Sequence, residues 1–141
     1  MSDANSKDLQ LGSDLRVIFT GDGRADIVWS DSDLEQVTGL DNLAQALTLR
    51  LLVQRGELRG LAHPRYGSRI HELIGQTLDR PNLDLLRRHV RQALLGDPRV
   101  AAVESLKVEP IAAYPGAVQV TATVRARTGA ITQIEVAVAL A

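Results

Sequence analysis

The chain has 141 residues, 45% of them hydrophobic but only 3% aromatic, with 16 Lys and Arg against 17 Asp and Glu for a formal net charge of −1. That length fits one domain with an aliphatic core, and the near-zero charge excludes a protein whose partners, nucleic acid or an anionic membrane, are held by a strong overall field. The absence of cysteine excludes a disulfide framework, thiolate catalysis and cysteine-bound zinc.

The opening MSDANSKDLQ has neither a basic start nor a long apolar run, so it reads as neither signal peptide nor membrane anchor. Residues 1–12 are expected to be a flexible arm, and residues 13–141 a single domain made and first assembled in the cytoplasm. Leu15 to Phe19 and Ala25 to Trp29 are β-prone on either side of Gly21-Asp22-Gly23, which predicts a small hairpin. That glycine pair lacks the following helix and the Lys-Ser/Thr pair of a phosphate loop. From Asp41 the spacing Leu40, Leu43, Ala44, Leu47, Leu51 marks one face of a helix ending near Gly56, with Gln45, Thr48 and Gln54 off the stripe. A second helix is expected behind Asp79 and Pro81, with the stripe Leu83, Leu86, Val90, Ala93, Leu94, ended by Gly96 and Pro98. Its Arg87, Arg88 and Arg91 read as a solvated or protein-contacting face, since no aromatics are interleaved with them.

Val100 to Val108 is expected to be a strand broken at Pro110, and Tyr114-Pro115-Gly116 a turn. Val118, Val120, Ala122, Val124 and Ala126 then alternate with polar residues, Thr128-Gly129 supplies a turn, and Ile134, Val136, Val138 and Leu140 alternate again. The fold class that follows is α+β: helices packed on one face of a small, mostly antiparallel sheet, with an N-terminal β-hairpin and a C-terminal β-hairpin. The last strand runs toward Ala141 and lies at an edge, either covered or open to a strand from another chain.

Between the two helices, Gly56 suits a left-handed helix end and Gly60 a second bend; Pro64 biases His63 to extended geometry, and Ser68 can cap a turn over Arg69 to Ile74. Catalytic signals are weak. None of His63, His71 and His89 belongs to a metal-ligand pair, so each reads as a surface or capping residue. Glu57 and Glu72 are the two carboxylates a glycosidase would need, yet few rings exist to stack a sugar. Ser68 follows Gly67 without a nucleophile elbow.

The order Gly56-Glu57, Pro64, Tyr66-Gly67-Ser68, Ile70, then Asp97-Pro98-Arg99-Val100, resembles the small baseplate-wedge family of contractile phage tails, type VI secretion systems and related injection particles. The phage-tail or tail-derived branch is the nearer one. The resemblance implies a structural protein, not an enzyme and without cofactor or metal, that holds the first sheath ring on the baseplate and templates sheath assembly. It carries Gly56, Glu57, Pro64, Tyr66, Gly67 and Ser68 over as a structural turn motif, and Asp97, Pro98 and Arg99 as the contact with the wedge bundle. Ile134, Val136, Val138 and Leu140 would lie on the sheath-contacting strand. Implied partners are baseplate wedge proteins, sheath protein and central spike or hub proteins, with no nucleic acid or membrane and six copies per baseplate. A peptidoglycan-cleaving lysozyme-like enzyme and a free-standing protein-binding module are the alternative readings.

Overall fold

The computed structural model describes residues 11–19, 25–27, 29–30, 33–34 and 36–140. The short strands β1 (Ser13–Leu15), β2 (Val17–Phe19), β3 (Ala25–Ile27), β4 (Trp29–Ser30), β5 (Asp33–Leu34) and β6 (Gln36–Thr38) lead into helix α1 (Gly39–Leu52). Two 3-10 turns, Arg59–Leu61 and Ile70–Leu73, connect it to helix α2 (Arg80–Leu95), and β7 (Val100–Pro110), β8 (Ala117–Ala126) and β9 (Ile131–Ala139) follow. By contact the chain divides into two units, Met1–Ala46 and Leu47–Ala141.

In the first unit β1 pairs with β6, β2 with β3 and β4 with β5, all antiparallel. The expected hairpin is the β2–β3 pair, with Val17 opposite Ile27 and Phe19 opposite Ala25; its Gly21–Gly23 turn lies outside the described residues, as do residues 1–10 of the expected arm and Ala141. The β-prone run that starts at Leu15 is divided at Arg16. Gln45 explains how the break is tolerated: its side-chain Oε1 accepts from Val17 N at 2.8 Å and its Nε2 donates to Leu15 O at 2.8 Å, so one carboxamide replaces a strand partner. Asn42, 5% exposed, likewise donates to Leu11 O at 3.0 Å.

In the second unit the alternation along Val118 to Ala126 makes β8 the middle strand of a three-stranded antiparallel sheet, ordered β7-β8-β9. Val118, Val120, Ala122 and Val124 are fully buried on one face. Helix α2 packs against β7. Asp79 caps it by accepting from Asn82 N at 3.0 Å, with proline in the first turn, and Leu86, Val90 and Leu94 are fully buried. Arg87 and Arg91 on the opposite side are exposed. β7 continues through Pro110 instead of ending at Val108. The bond from Ile111 N to Ala117 O, with the register Glu109 to Gln119, puts the pairing residues of β7 on odd numbers, so the missing N–H of Pro110 costs no ladder bond. Tyr114-Pro115-Gly116 forms the expected turn, closed by Ala117 N on Tyr114 O at 3.0 Å, with Gly116 at φ 84°. Among the described residues no helix is long and apolar enough to cross a membrane.

Leu86 is fully buried on the helix face that meets the sheet. Leu86→Ala should lower unfolding free energy by about 2–5 kcal/mol, as large-to-small core changes do, measured by urea denaturation; a loss within error of zero would contradict this packing.

Candidate functional site

Helix α1 stops at Leu52, just past the last stripe residue Leu51 and short of Gly56, because the next backbone groups are taken by another segment. Ser68 N donates to Val53 O and Arg55 N donates to Ser68 O, both at 2.9 Å, forming an isolated parallel bridge between Gln54 and Ser68. Ser68 is buried, and its hydroxyl donates to Leu51 O at 2.7 Å, satisfying a carbonyl of the helix end. Its expected capping role is weaker: Ile70 N approaches Ser68 Oγ only at 3.5 Å, and the 70–73 turn has no side-chain cap. Gly67 sits at φ 105°, and a Cβ there would lie 2.5 Å from Val53 O and 2.9 Å from Arg55 N. Gly56 has φ 93° with open space around it, and Glu57 closes that turn: Glu57 N donates to Gln54 O at 3.0 Å, while its carboxylate accepts from Gln54 N at 3.3 Å. The second bend is made by Ala62, at φ 67°, and not by Gly60. Pro64 and His63 lie exposed on the following loop.

The two candidate motifs, distant in sequence, come together through Tyr66. The Arg50 guanidinium lies 4.5 Å from the centre of the Tyr66 ring, and a Cβ at Gly96 would come within 3.3 Å of Arg50 Nη1. Burial raises the Tyr66 phenol above its ordinary value; Arg50 opposes this, and Asp97 reinforces it. Asp97 is 2% exposed and accepts a fork from Arg99, Nε to Oδ1 at 3.0 Å and Nη2 to Oδ2 at 2.7 Å, plus Arg99 N at 2.9 Å. Burial pushes the Asp97 carboxyl up, but those three bonds and the charges of Arg99 and Arg50 together hold it below its ordinary value. Val100 N closes the Asp97–Val100 turn on Asp97 O at 3.1 Å, with Pro98 in the second position, and Arg127 binds Pro98 O at 2.6 Å and Arg99 O at 2.8 Å. Arg99 therefore has an internal role beside any external one.

Beside this junction opens a cavity of about 530 Å³ whose lining includes Arg50, Arg55, Arg65 and Arg69 but no carboxylate. His89 lines it too. By residue type His89 reads as a surface or capping residue, yet it is 6% exposed, because it stands three residues after Leu86 and four before Ala93 on the apolar face. Its Nε2 makes no hydrogen bond and lies 3.6 Å from Glu72 Oε2; burial and then the Arg69 charge push the imidazole below its ordinary value. His71 Nδ1 lies 3.2 Å from Ser68 O. Glu72 pairs with Arg69 at 2.9 Å, and that bond holds its carboxyl below the ordinary value. Among the described residues no group of three His, Asp or Glu could hold a metal. Arg50 was not singled out by the sequence; its position in the last turn of α1 was the available signal.

The second exposed feature is β9. Ile134, Val136 and Leu140 are buried and Val138 is half-buried, so these side chains face the core and are not presented to a partner. Ala126 N binds Ala130 O at 2.8 Å and Leu140 N binds Gly116 O at 2.7 Å; with the register between, residues of even number bond to β8. Ile131, Gln133, Glu135, Ala137 and Ala139 consequently direct their backbone groups away from the sheet, and among the described residues no strand covers them.

The sequence matches no protein-family profile and no curated protein. In fold it is similar to a crystal structure from Geobacter sulfurreducens described as a "putative tail lysozyme", with TM-score 0.63 and 23% identity, over 82% of this chain and 97% of that one. The likeness at that identity is one of fold.

Two outcomes follow for the junction. Gly56→Ala and Gly67→Ala should each cost about 1–2 kcal/mol for the left-handed dihedral, and Gly67→Ala should cost more because of the clash against Val53 and Arg55; equal losses in denaturant titrations would contradict the close approach. For Asp97 the folded carboxyl is the lower one, so the stabilisation is complete above the ordinary aspartate range and disappears as pH falls through the folded value. The stability gap between wild type and Asp97→Asn should therefore shrink below about pH 4, followed by thermal unfolding across pH; a gap independent of pH would contradict it.

Proposed function

We propose that this chain is a structural component of a contractile phage tail or tail-like injection particle, a baseplate wedge protein that links the wedge bundle to the first sheath ring. The observation that carries the reading is the outer edge of β9, where Ile131 to Ala139 offer alternate N–H and C=O groups in extended register. Such an edge adds a strand from another chain with main-chain hydrogen bonds, the recognition mode that fits a sheath built as a strand mesh. The tail designation of the Geobacter protein of similar fold agrees with it. In this role the backbone of β9, not Ile134, Val136, Val138 or Leu140, meets the sheath strand. Arg99, 28% exposed, grips Asp97 with one edge of its fork while the rest of the guanidinium meets carbonyls or carboxylates of the wedge bundle, with Pro98 exposed beside it.

A peptidoglycan-cleaving role has less support. A glycosidase acid needs a raised carboxyl, and Glu72 is held low by Arg69 while Glu57 is engaged in its own turn. The proposed partners are therefore wedge and sheath proteins, with the chain retained in the assembled particle.

Deleting β9 would be a poor test, since it would also remove buried Ile134, Val136 and Leu140. Ala137→Pro is cleaner: Ala137 is exposed and its N–H points away from β8, so proline blocks strand addition without breaking a β8 bond. The purified variant should melt close to wild type, while cells carrying it should yield baseplates without sheath by electron microscopy. Normal sheaths on such particles would overturn the proposal.

A further inference from the structure

Among the described residues of the second unit, four arginines have a carboxylate of their own. Arg87 pairs with Asp84, Arg99 with Asp97, Arg125 with Glu104 and Arg69 with Glu72. Arg55 and Arg65 differ: among the described residues neither has an ion-pair partner, and both line the 530 Å³ cavity. Arg50 joins them with its Nε buried and without a hydrogen bond, its plane set by the Tyr66 ring. The cavity is thus lined by cations without an acid, in a molecule whose formal net charge is −1. A concave wall of one sign concentrates the field at its mouth.

We propose that this cavity docks an acidic stretch of a partner protein, with Arg50, Arg55 and Arg65 taking its carboxylates. The distribution of charge favours a chain over a single small anion. Arg55 and Arg69 also border a neighbouring hollow of about 310 Å³ together with His71 and Glu72; the Glu72 carboxylate there is held by Arg69, so it is Arg55 that extends the basic lining past one pocket, as carboxylates spaced along a peptide require. Guanidinium groups bind carboxylates as planar forks. Buried His89 adds an imidazole to the wall, and Glu72, held by Arg69, marks the side where a like charge would repel the ligand. The proposal stands without the tail reading, because it requires only the charge and shape of this cavity.

The test uses the full-length chain labelled with nitrogen-15 and titrated with an end-blocked glutamate oligopeptide at low salt. The amide signals of Arg55, Gly67 and Ser68 should shift saturably, and raised salt should reverse the shifts. Arg55→Gln/Arg65→Gln should bind about tenfold more weakly, the scale expected for losing two such charge contacts, while Arg87→Gln/Arg91→Gln on the exposed face of α2 should bind like wild type. If the double variant failed to fold, Arg65→Glu alone, at an exposed loop position, would replace it with the same expected loss. Inorganic phosphate that shifts these amides while the peptide does not would make this a small-anion site and overturn the assignment. So would shifts centred on α2, or undiminished binding by the cavity variants.

Discussion

The backbone crossing at Gly67 governs the geometry of everything around it. Its α-carbon passes so close to Val53 and Arg55 that no side chain fits, and its φ of 105° excludes most residues independently. The crossing leaves Ser68 in register with Gln54, and the resulting pair of 2.9 Å bonds ends the helix short of Gly56. The buried hydroxyl of Ser68 then occupies a helix carbonyl that would otherwise lack a partner. One residue earlier, Tyr66 is delivered onto Arg50. A guanidinium on a flexible stem becomes a fixed one between the aromatic ring and Gly96, and the wall of the cavity is set.

The second constraint is the charge buried at Asp97. An unpaired carboxylate there would be costly, and the local sequence supplies its own remedy two residues later. A side-chain fork and a backbone N–H from one residue satisfy both oxygens, while proline between them fixes the turn. Arg127 ties the same turn to the end of β8. Helix α2, β7 and β8 are therefore joined at a point whose rigidity is electrostatic as well as steric. A force applied at Arg99 in the proposed assembly would be transmitted to the sheet and not absorbed in a loose connection.

Periodic elements were the legible ones. The stripe Leu83 to Leu94 and the alternation Val118 to Ala126 depend on each element's own side chains, and they predict α2 and β8 closely. The shorter pieces of the first unit were not legible, since β4, β5 and β6 span two or three residues each, too few to show a period. Gln45 lies off its helix's stripe for a reason periodicity cannot register: it serves the backbone at Arg16. Gly56 takes the left-handed conformation expected of it, but the reason for Gly67 is a contact with residues more than ten positions away, and the bend assigned to Gly60 is made by Ala62. His89 was misjudged because histidine was weighed by type, although its spacing from Leu86 and Ala93 placed it on the buried face.

An exposed strand edge normally invites unwanted pairing, so in the proposed assembly β9 needs features that keep it available yet selective. Its far end is tied: Leu140 donates to Gly116 and accepts from Gly75, both at 2.7 Å, and its side chain is buried. The strand is thus held against β8 by its core-facing residues and cannot slip by one position without exposing Ile134 and Val136. On its outer row Glu135 places a charge among Gln133 and the alanines, which disfavours a second copy aligned with Glu135 against itself and admits a strand with a neutral or basic residue there. In the proposed assembly, a fixed register with one charged position would let main-chain bonds provide affinity while Glu135 selects among partner strands.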